Sequence, residues 1–344
     1  MKLLLVIAGF LAALQIGGCY YMQAAGGQME ILRKRIPLSE IIDDPDTSEE
    51  LKSRLEMVQG ARRFAIDELL LPDNKSYQTF ADLERDYVVW NVMAAPEFSL
   101  QPKTWCYPIV GCVAYRGYFA EEKARALGDR LRDQGFDVFV GGVAAYSTLG
   151  RFADPVLNTM MRWSDVDLVA TLFHELAHQR LFIKGDTEFN ESFATAVAEI
   201  GVARWLAAHG KHSEVAEYFG RGELREKLMA LVERTKIELD ALYNEVLDDE
   251  LKRSRKWDIF DRLSSAADRV VDKEPLPATN WLKAPLNNAR LTSLVLYRGQ
   301  LDAFRRLLAR CNDELTCFYD TVEEIAALPF EERSSRLESA AAIH

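Results

Sequence analysis

Residues 174–197 read HELAHQRLFIKGDTEFNESFATAV. His174 and His178 stand four apart, with Glu175 beside the first. On a helix, that spacing leaves two side chains within about 40° of each other on one face, so both imidazoles can converge on one metal ion. Glu175, offset by one residue, points too far round to ligate yet close enough to take a proton from a metal-held water. Two neutral nitrogens with a neighbouring carboxylate base is the chemistry of a zinc hydrolase, and His-Glu-x-x-His on a helix is its signature. The competing explanation is coincidence on an amphipathic helix. Two features oppose it: the chain has only five histidines, and the flanking residues 168–173 and 176–177 are almost wholly apolar. Three ionisable groups on such a helix need partners.

Two helices must position this group and supply a third ligand. Ser164 followed three residues later by Asp167 is a capping signature that starts a helix near Asp165. That helix should run to about Ile183, where Lys184-Gly185 provides a basic last turn and a terminal glycine. Thr187 is a candidate N-cap for a second helix from Glu188 to about Ala208, closed by His209-Gly210. The pair forms an antiparallel hairpin. At 1.5 Å rise per residue, His178 and Glu191 lie roughly 7.5 and 6 Å from the turn, and are therefore level. Glu188 would sit roughly 6 Å too high and Glu199 about 18 Å down, beyond His174. Glu191 is the best-placed third ligand, the alternative being an exposed first-turn glutamate favoured by the helix dipole.

His174-Glu175-Leu176-Ala177-His178 with Asn190-Glu191-Ser192-Phe193-Ala194 resembles the gluzincins, zincin metallopeptidases whose third ligand is a glutamate on the following helix. The wider chain is similar to a bacterial family known as putative aminopeptidases. The resemblance is carried by Cys106-Tyr107-Pro108-Ile109-Val110-Gly111-Cys112, Tyr115-Arg116-Gly117-Tyr118-Phe119, Ala145-Tyr146-Ser147-Thr148-Leu149-Gly150 and Asn287-Asn288-Ala289. It implies His174, His178 and Glu191 as ligands of Zn2+ and Glu175 as general base. The pattern departs from the thermolysin-like one at Thr195, where an acid orienting His174 would stand. Asp165, Asp167 or Glu199 could substitute. Zincins hold substrate as an added strand on the sheet edge just before the metal helix, and Ala144 to Leu149, which reads as a strand, stands in that place. Tyr146 in it either faces the cleft or packs. The oxyanion donor that such enzymes need is assigned to Tyr297, ahead of Tyr218 and Tyr243. An aminopeptidase also needs an anion for the substrate α-amine, and Glu188 or Asp186 could reach.

Elsewhere, Thr47-Ser48-Glu49-Glu50 opens a helix through Leu71 that is stopped at Pro72. Residues 87–92, 110–119 and 136–140 are β-branched and aromatic and read as strands, with an amphipathic helix over 120–134. Beyond Gly222 the chain is nearly all helical, with one long periodic segment over 224–246. The fold expected is α+β, mainly helical, with a small zincin-like sheet. Its parts are a helical arm (20–85), sheet and metal helices (86–210) and a helical subdomain (211–344), forming one metallopeptidase domain over 19–344.

Residues 1–18 are set apart: Lys2, then a run from Leu3 to Leu14 too short to span a bilayer, then small residues. This reads as a secretory signal peptide. Ile16-Gly17-Gly18-Cys19 resembles a bacterial lipobox, which implies a lipidated Cys19 and a periplasm-facing protein anchored to the membrane, with Tyr20 after the cysteine favouring the outer membrane. Of five cysteines, four then remain, as the local pairs Cys106/Cys112 and Cys311/Cys317, which an oxidising compartment would let close as disulfides. Four separate buried thiols is the alternative. The 53 acidic against 42 basic residues give a net charge of −11, or −12 once Lys2 is lost, which excludes nucleic acid as a partner. The expected activity is zinc-dependent hydrolysis of peptides in the cell envelope, aminopeptidase on the resemblance. The competing class is a lipid-anchored scaffold or binding protein with a structural zinc.

Overall fold

Two helices that hold a polar group between them must bury every other side, and the chain wraps them in apolar surface. The computed structural model describes residues 20–107, 111–271, 285–295 and 300–342. Cys19 and Tyr297 lie outside these residues. The order is α1 (20–33), β1 (Arg35–Pro37), α2 (Leu38–Asp43), α3 (Glu49–Asp67), β2 (Thr79–Ala81), β3 (Val89–Pro96), β4 (Trp105–Tyr107), β5 (Gly111–Val113), β6 (Arg116–Tyr118), α4 (Glu121–Asp133), β7 (Phe136–Val143) and β8 (Val156–Leu157). Helices follow: α5 (Asp165–Arg180), α6 (Thr187–Ala208), α7 (His212–Asn244), α8 (Asp249–Val271), α9 (Asn288–Val295), α10 (Leu301–Arg310), α11 (Leu315–Ala326) and α12 (Phe330–Ala342). The fold is α+β and mainly helical, with small sheets.

The main core spreads from α3 through α5 and α6 to α10, α11 and α12. Leu168, Leu172, Phe173 and Leu176 of α5 and Phe189, Phe193, Val197 and Val202 of α6 are all at or below 2% exposure, so both helices are held by packing on most of their circumference. Gly201 lets them close up. A Cβ there would stand 2.7 Å from the Phe173 ring and from Leu69, so any larger residue would push α6 away from α5.

The sheet β6-β3-β7 is antiparallel throughout and packs against α4. A second sheet orders as β1-β2-β8, and β4 pairs with β5. Asn288, fully buried, joins the helical extension to the first sheet: its Nδ2 donates to the carbonyls of Pro96, Glu97 and Ser99 at 3.1, 2.9 and 3.2 Å. Cys106 is bonded to Cys112 across the β4/β5 pair, and Cys311 to Cys317 between α10 and α11. Among the described residues no helix is long and apolar enough to cross a membrane.

Three sequence expectations are corrected. Ala144 to Leu149 is not a strand, because pairing of β7 with β3 stops at Val143. The Ala144 carbonyl is taken by the Thr159 hydroxyl at 2.5 Å, and the Thr148 and Leu149 amides by the Asp154 carboxylate and the Ser147 hydroxyl. Side-chain oxygens have displaced the ladder. The apolar run over 110–119 likewise holds two short strands, β5 and β6, rather than one. Finally, α5 ends at Arg180 rather than near Ile183, and α6 is capped by Asp186 rather than Thr187.

The physical reason lies in the six residues between the helices. Asn190 holds both backbone groups of Ile183, accepting its N–H and donating to its carbonyl at 2.8 Å each, which removes Ile183 from helical bonding. Gly185 turns the chain with φ of +86°. One oxygen of Asp186 then caps the Phe189 amide at 3.2 Å and the other meets Arg333 of α12 at 2.8 Å. Asp186 and Arg333 are 5% and 7% exposed at the side chain, so each is the other's charge compensation in the interior. Arg333→Met should leave Asp186 buried and unpaired and cost about 3–5 kcal/mol. Urea unfolding of this variant against the parent measures it, and a loss under 1 kcal/mol would contradict the role given to the pair.

Candidate metal centre and catalytic cleft

α5 begins as its cap spacing predicts, with Ser164 Oγ accepting the Asp167 amide at 3.1 Å. Two turns on, His174 and His178 project from one face, with their Nε2 atoms 3.1 Å apart. Glu191, in the second turn of α6, reaches them: Oε2 lies 3.2 Å from His174 Nε2 and Oε1 3.6 Å from His178 Nε2. One ligand atom from each residue falls within 4.8 Å of the other two, a group that could hold a metal ion. The structure thus brings together the three residues that the spacing singled out.

The donor set fits a divalent cation. Two imidazole nitrogens and a carboxylate oxygen are lone-pair donors turned toward one point, and a cation satisfies all three together. Exposure differs around the group: His178 is 6% exposed, His174 22% and Glu191 25% at the side chain. One flank is closed by packing and the other is open to a ligand. The ring of Phe182, itself exposed, lies 6.2 Å from that of His178.

Two carboxyls beside the group are driven in opposite directions. Burial raises the Glu191 carboxyl, but hydrogen bonds and attraction from His174 and His178 outweigh it and hold the group at about 2. Glu191 stays ionised. Glu175 is raised above the ordinary carboxylate value, chiefly by burial and in spite of both histidines. A carboxyl displaced toward neutrality can accept a proton and give it back, which is what a general base in hydrolysis must do.

The other expected residues are placed as follows. Asp165 lies 3.6 Å from Arg54, Asp167 bonds Ser164 Oγ at 2.7 Å, and Glu199 is held by Arg305 at 2.8 and 2.9 Å. All three acids proposed to orient His174 are thus engaged by other groups. Of the two carboxylates offered for a substrate amine, Asp186 is paired with Arg333, and Glu188 feels the charges of Asp186, Lys236 and Glu233. Tyr243 donates to Asn288 at 2.7 Å, in the joint between helices and sheet. Tyr146 is partly buried, edge-on to Phe119 with ring centroids 5.8 Å apart.

Sequence reasoning missed four neighbours. Tyr115, between β5 and β6, feels the charge of Glu191, and burial raises its hydroxyl. Ser147 hydrogen-bonds Glu175, Tyr77 feels its charge, and Asp154 bonds Ser147 in turn. Tyr115 and Ser147 lay within runs read as strands, and nothing in the sequence singled out Tyr77 or Asp154.

A family model described as putative aminopeptidase matches residues 19–337. No curated protein matches the chain, and no solved structure does. The geometry predicts one divalent ion per chain. Removing a protein ligand should weaken binding on the order of 10²-fold or more, so His178→Ala and Glu191→Ala should lose the ion while Glu175→Gln keeps it. Equilibrium dialysis with metal analysis reads this directly. Affinity should also fall with pH as imidazoles take up protons, whereas Glu191 contributes no loss until pH falls toward 2. Equal metal content in all variants would remove the site.

Proposed function

This chain belongs to the putative aminopeptidase family, and from that premise we propose that it is a zinc-dependent peptidase whose metal is held by His174, His178 and Glu191. The observation that carries the reading is the convergence of three ligand atoms, open on one flank, with the Glu175 carboxyl beside them. A set of two imidazoles and one carboxylate is the donor set of catalytic zinc sites. When bound, the ion supplies Lewis acidity toward a peptide carbonyl and acidifies water in the position left open.

The chain's own groups do the rest. Glu191, ionised throughout the physiological range, offsets one of the cation's two charges. Glu175 accepts the proton released as water attacks and delivers it to the amine that leaves, the role for which a raised carboxyl is suited. Tyr115, protonated and close to Glu191, is a candidate to donate a hydrogen bond to the oxyanion, the part assigned on sequence grounds to Tyr297.

We place the protein in the cell envelope, facing the periplasm from a lipidated Cys19, with peptides as its partners. The reading is supported by the lipobox-like Ile16-Gly17-Gly18-Cys19, by a family match that begins at Cys19, and by two disulfides. Removal of N-terminal residues is the specificity that the family description carries.

Two measurements test these statements. Glu175→Gln should reduce turnover of a peptide mixture at least about 10²-fold with metal content unchanged. Undiminished hydrolysis would overturn the catalytic reading. An unblocked peptide should be cleaved and its N-acetylated counterpart spared. Equal cleavage of both would leave a peptidase without the amino-terminal specificity.

A further inference from the structure

Glu175 can act only if its carboxylate is held beside the metal group, and α5 fixes its backbone rather than its three side-chain torsions. The holding comes from elsewhere. Asp154, 2% exposed, is a second carboxylate in the interior and shares Ser147 with Glu175. It accepts the Thr148 amide at 2.9 Å, the Thr148 hydroxyl at 2.6 Å and the Gly150 amide, and Ser147 Oγ stands 3.2 Å from one of its oxygens. These bonds close residues 147–154 into a loop around one buried charge.

The loop is fastened to the residues before β2. The Tyr77 amide donates to the Asp154 carbonyl at 2.6 Å, and the Asp154 amide donates to Ser76 Oγ at 3.4 Å. Tyr77 is 2% exposed and sits in the left-handed region, with φ of +59°. Such a backbone is strained for a bulky side chain and persists only where its surroundings enforce it. Here they aim the phenol at Ser147, with which it hydrogen-bonds.

Ser147 is where these bonds meet Glu175. A serine hydroxyl has one proton to give and two lone pairs to fill. The Leu149 amide fills one at 3.2 Å. The Tyr77 phenol, kept protonated by burial, can fill the second. The single proton left must go to a carboxylate, either Asp154 or Glu175, both of which bond Ser147. Asp154 already has the two Thr148 donors and the Gly150 amide without it.

We propose that Ser147, oriented by Tyr77 and by the loop closed on Asp154, is a positioning residue that aims the Glu175 carboxylate at the open flank of the His174/His178/Glu191 group. The role of Glu175 as base rests on the peptidase reading. The position of its carboxylate does not. The loop expected to bind substrate as a strand therefore serves the base instead, since its amides at Thr148 and Leu149 are already spent on Asp154 and Ser147.

The test uses the full chain. Ser147→Ala should lower kcat on the order of 10²-fold, the effect of misplacing a reacting group by about 1 Å, while KM and metal content stay within about threefold. Ser147→Thr restores the hydroxyl and should restore kcat to within about fivefold of the parent. Tyr77→Phe, which removes only the phenolic oxygen, should fall between them and covers the case in which Ser147→Ala fails to fold. A crystal structure of Ser147→Ala or Tyr77→Phe is the readout independent of turnover: the Glu175 carboxylate should leave its place while the three ligands keep theirs. If the carboxylate stays put, or if kcat falls only together with metal content and thermal midpoint and Ser147→Thr does not rescue it, the proposal is overturned. If the parent protein shows no hydrolysis and the carboxylate nonetheless moves, the peptidase reading fails and the positioning role stands.

Discussion

The site depends on how the chain turns between α5 and α6. An ion held by residues of two helices requires those helices to be locked in both separation and register, because a shift of one residue along α6 would carry Glu191 about 1.5 Å along and roughly 100° around the axis. Separation is set where Gly201 meets Phe173. Register is set in the crossing, where Asn190 grips Ile183 and Asp186 caps the second helix. The charge that makes Asp186 a firm cap would be costly in the interior alone. Arg333, 147 residues further on, makes it tolerable, so α12 helps to fix where Glu191 meets the histidines.

That dependence explains what could be read from the sequence. His174, Glu175 and His178 were legible because their relation is local: a helix fixes the angle between residues four apart whatever surrounds it. Glu191 was legible by the same arithmetic, although the lengths fed into it were off. The helix proved three residues shorter than expected at its end, and the crossing correspondingly longer. The hairpin still brings Glu191 level with the histidines, since residues given up by the helix passed into the turn without changing which faces meet. Arg333 was invisible, because nothing in a sequence marks which arginine will neutralise a buried aspartate.

The segment from Ala144 to Leu149 shows a different limit. Its composition suits a strand, and it follows β7 directly. Yet Ser147 and Thr148 carry hydroxyls that can bond locally, and a buried Asp154 seven residues beyond Ser147 gives them a reason to do so. Propensity describes what a backbone prefers when nothing competes for its amides. Here a carboxylate competed and won, and the same event placed a hydroxyl beside the base.

Acid–base function in such a centre requires two carboxyls that feel each other's charge to behave differently, and the fold accomplishes this through unlike surroundings. Glu191 meets two imidazoles that act on it at hydrogen-bond distance, and its negative charge is stabilised more than burial penalises it. Glu175 feels the same imidazoles at longer range, pays the desolvation in full, and is pushed further toward neutrality by Glu191 itself. In the proposed peptidase, this opposite displacement suits Glu191, held ionised, to ligation and Glu175, raised by burial, to carrying a proton. The assignment follows from which residue the helix hairpin brings into contact with the histidines. The hairpin that gathers His174, His178 and Glu191 therefore also sets Glu191 apart from Glu175.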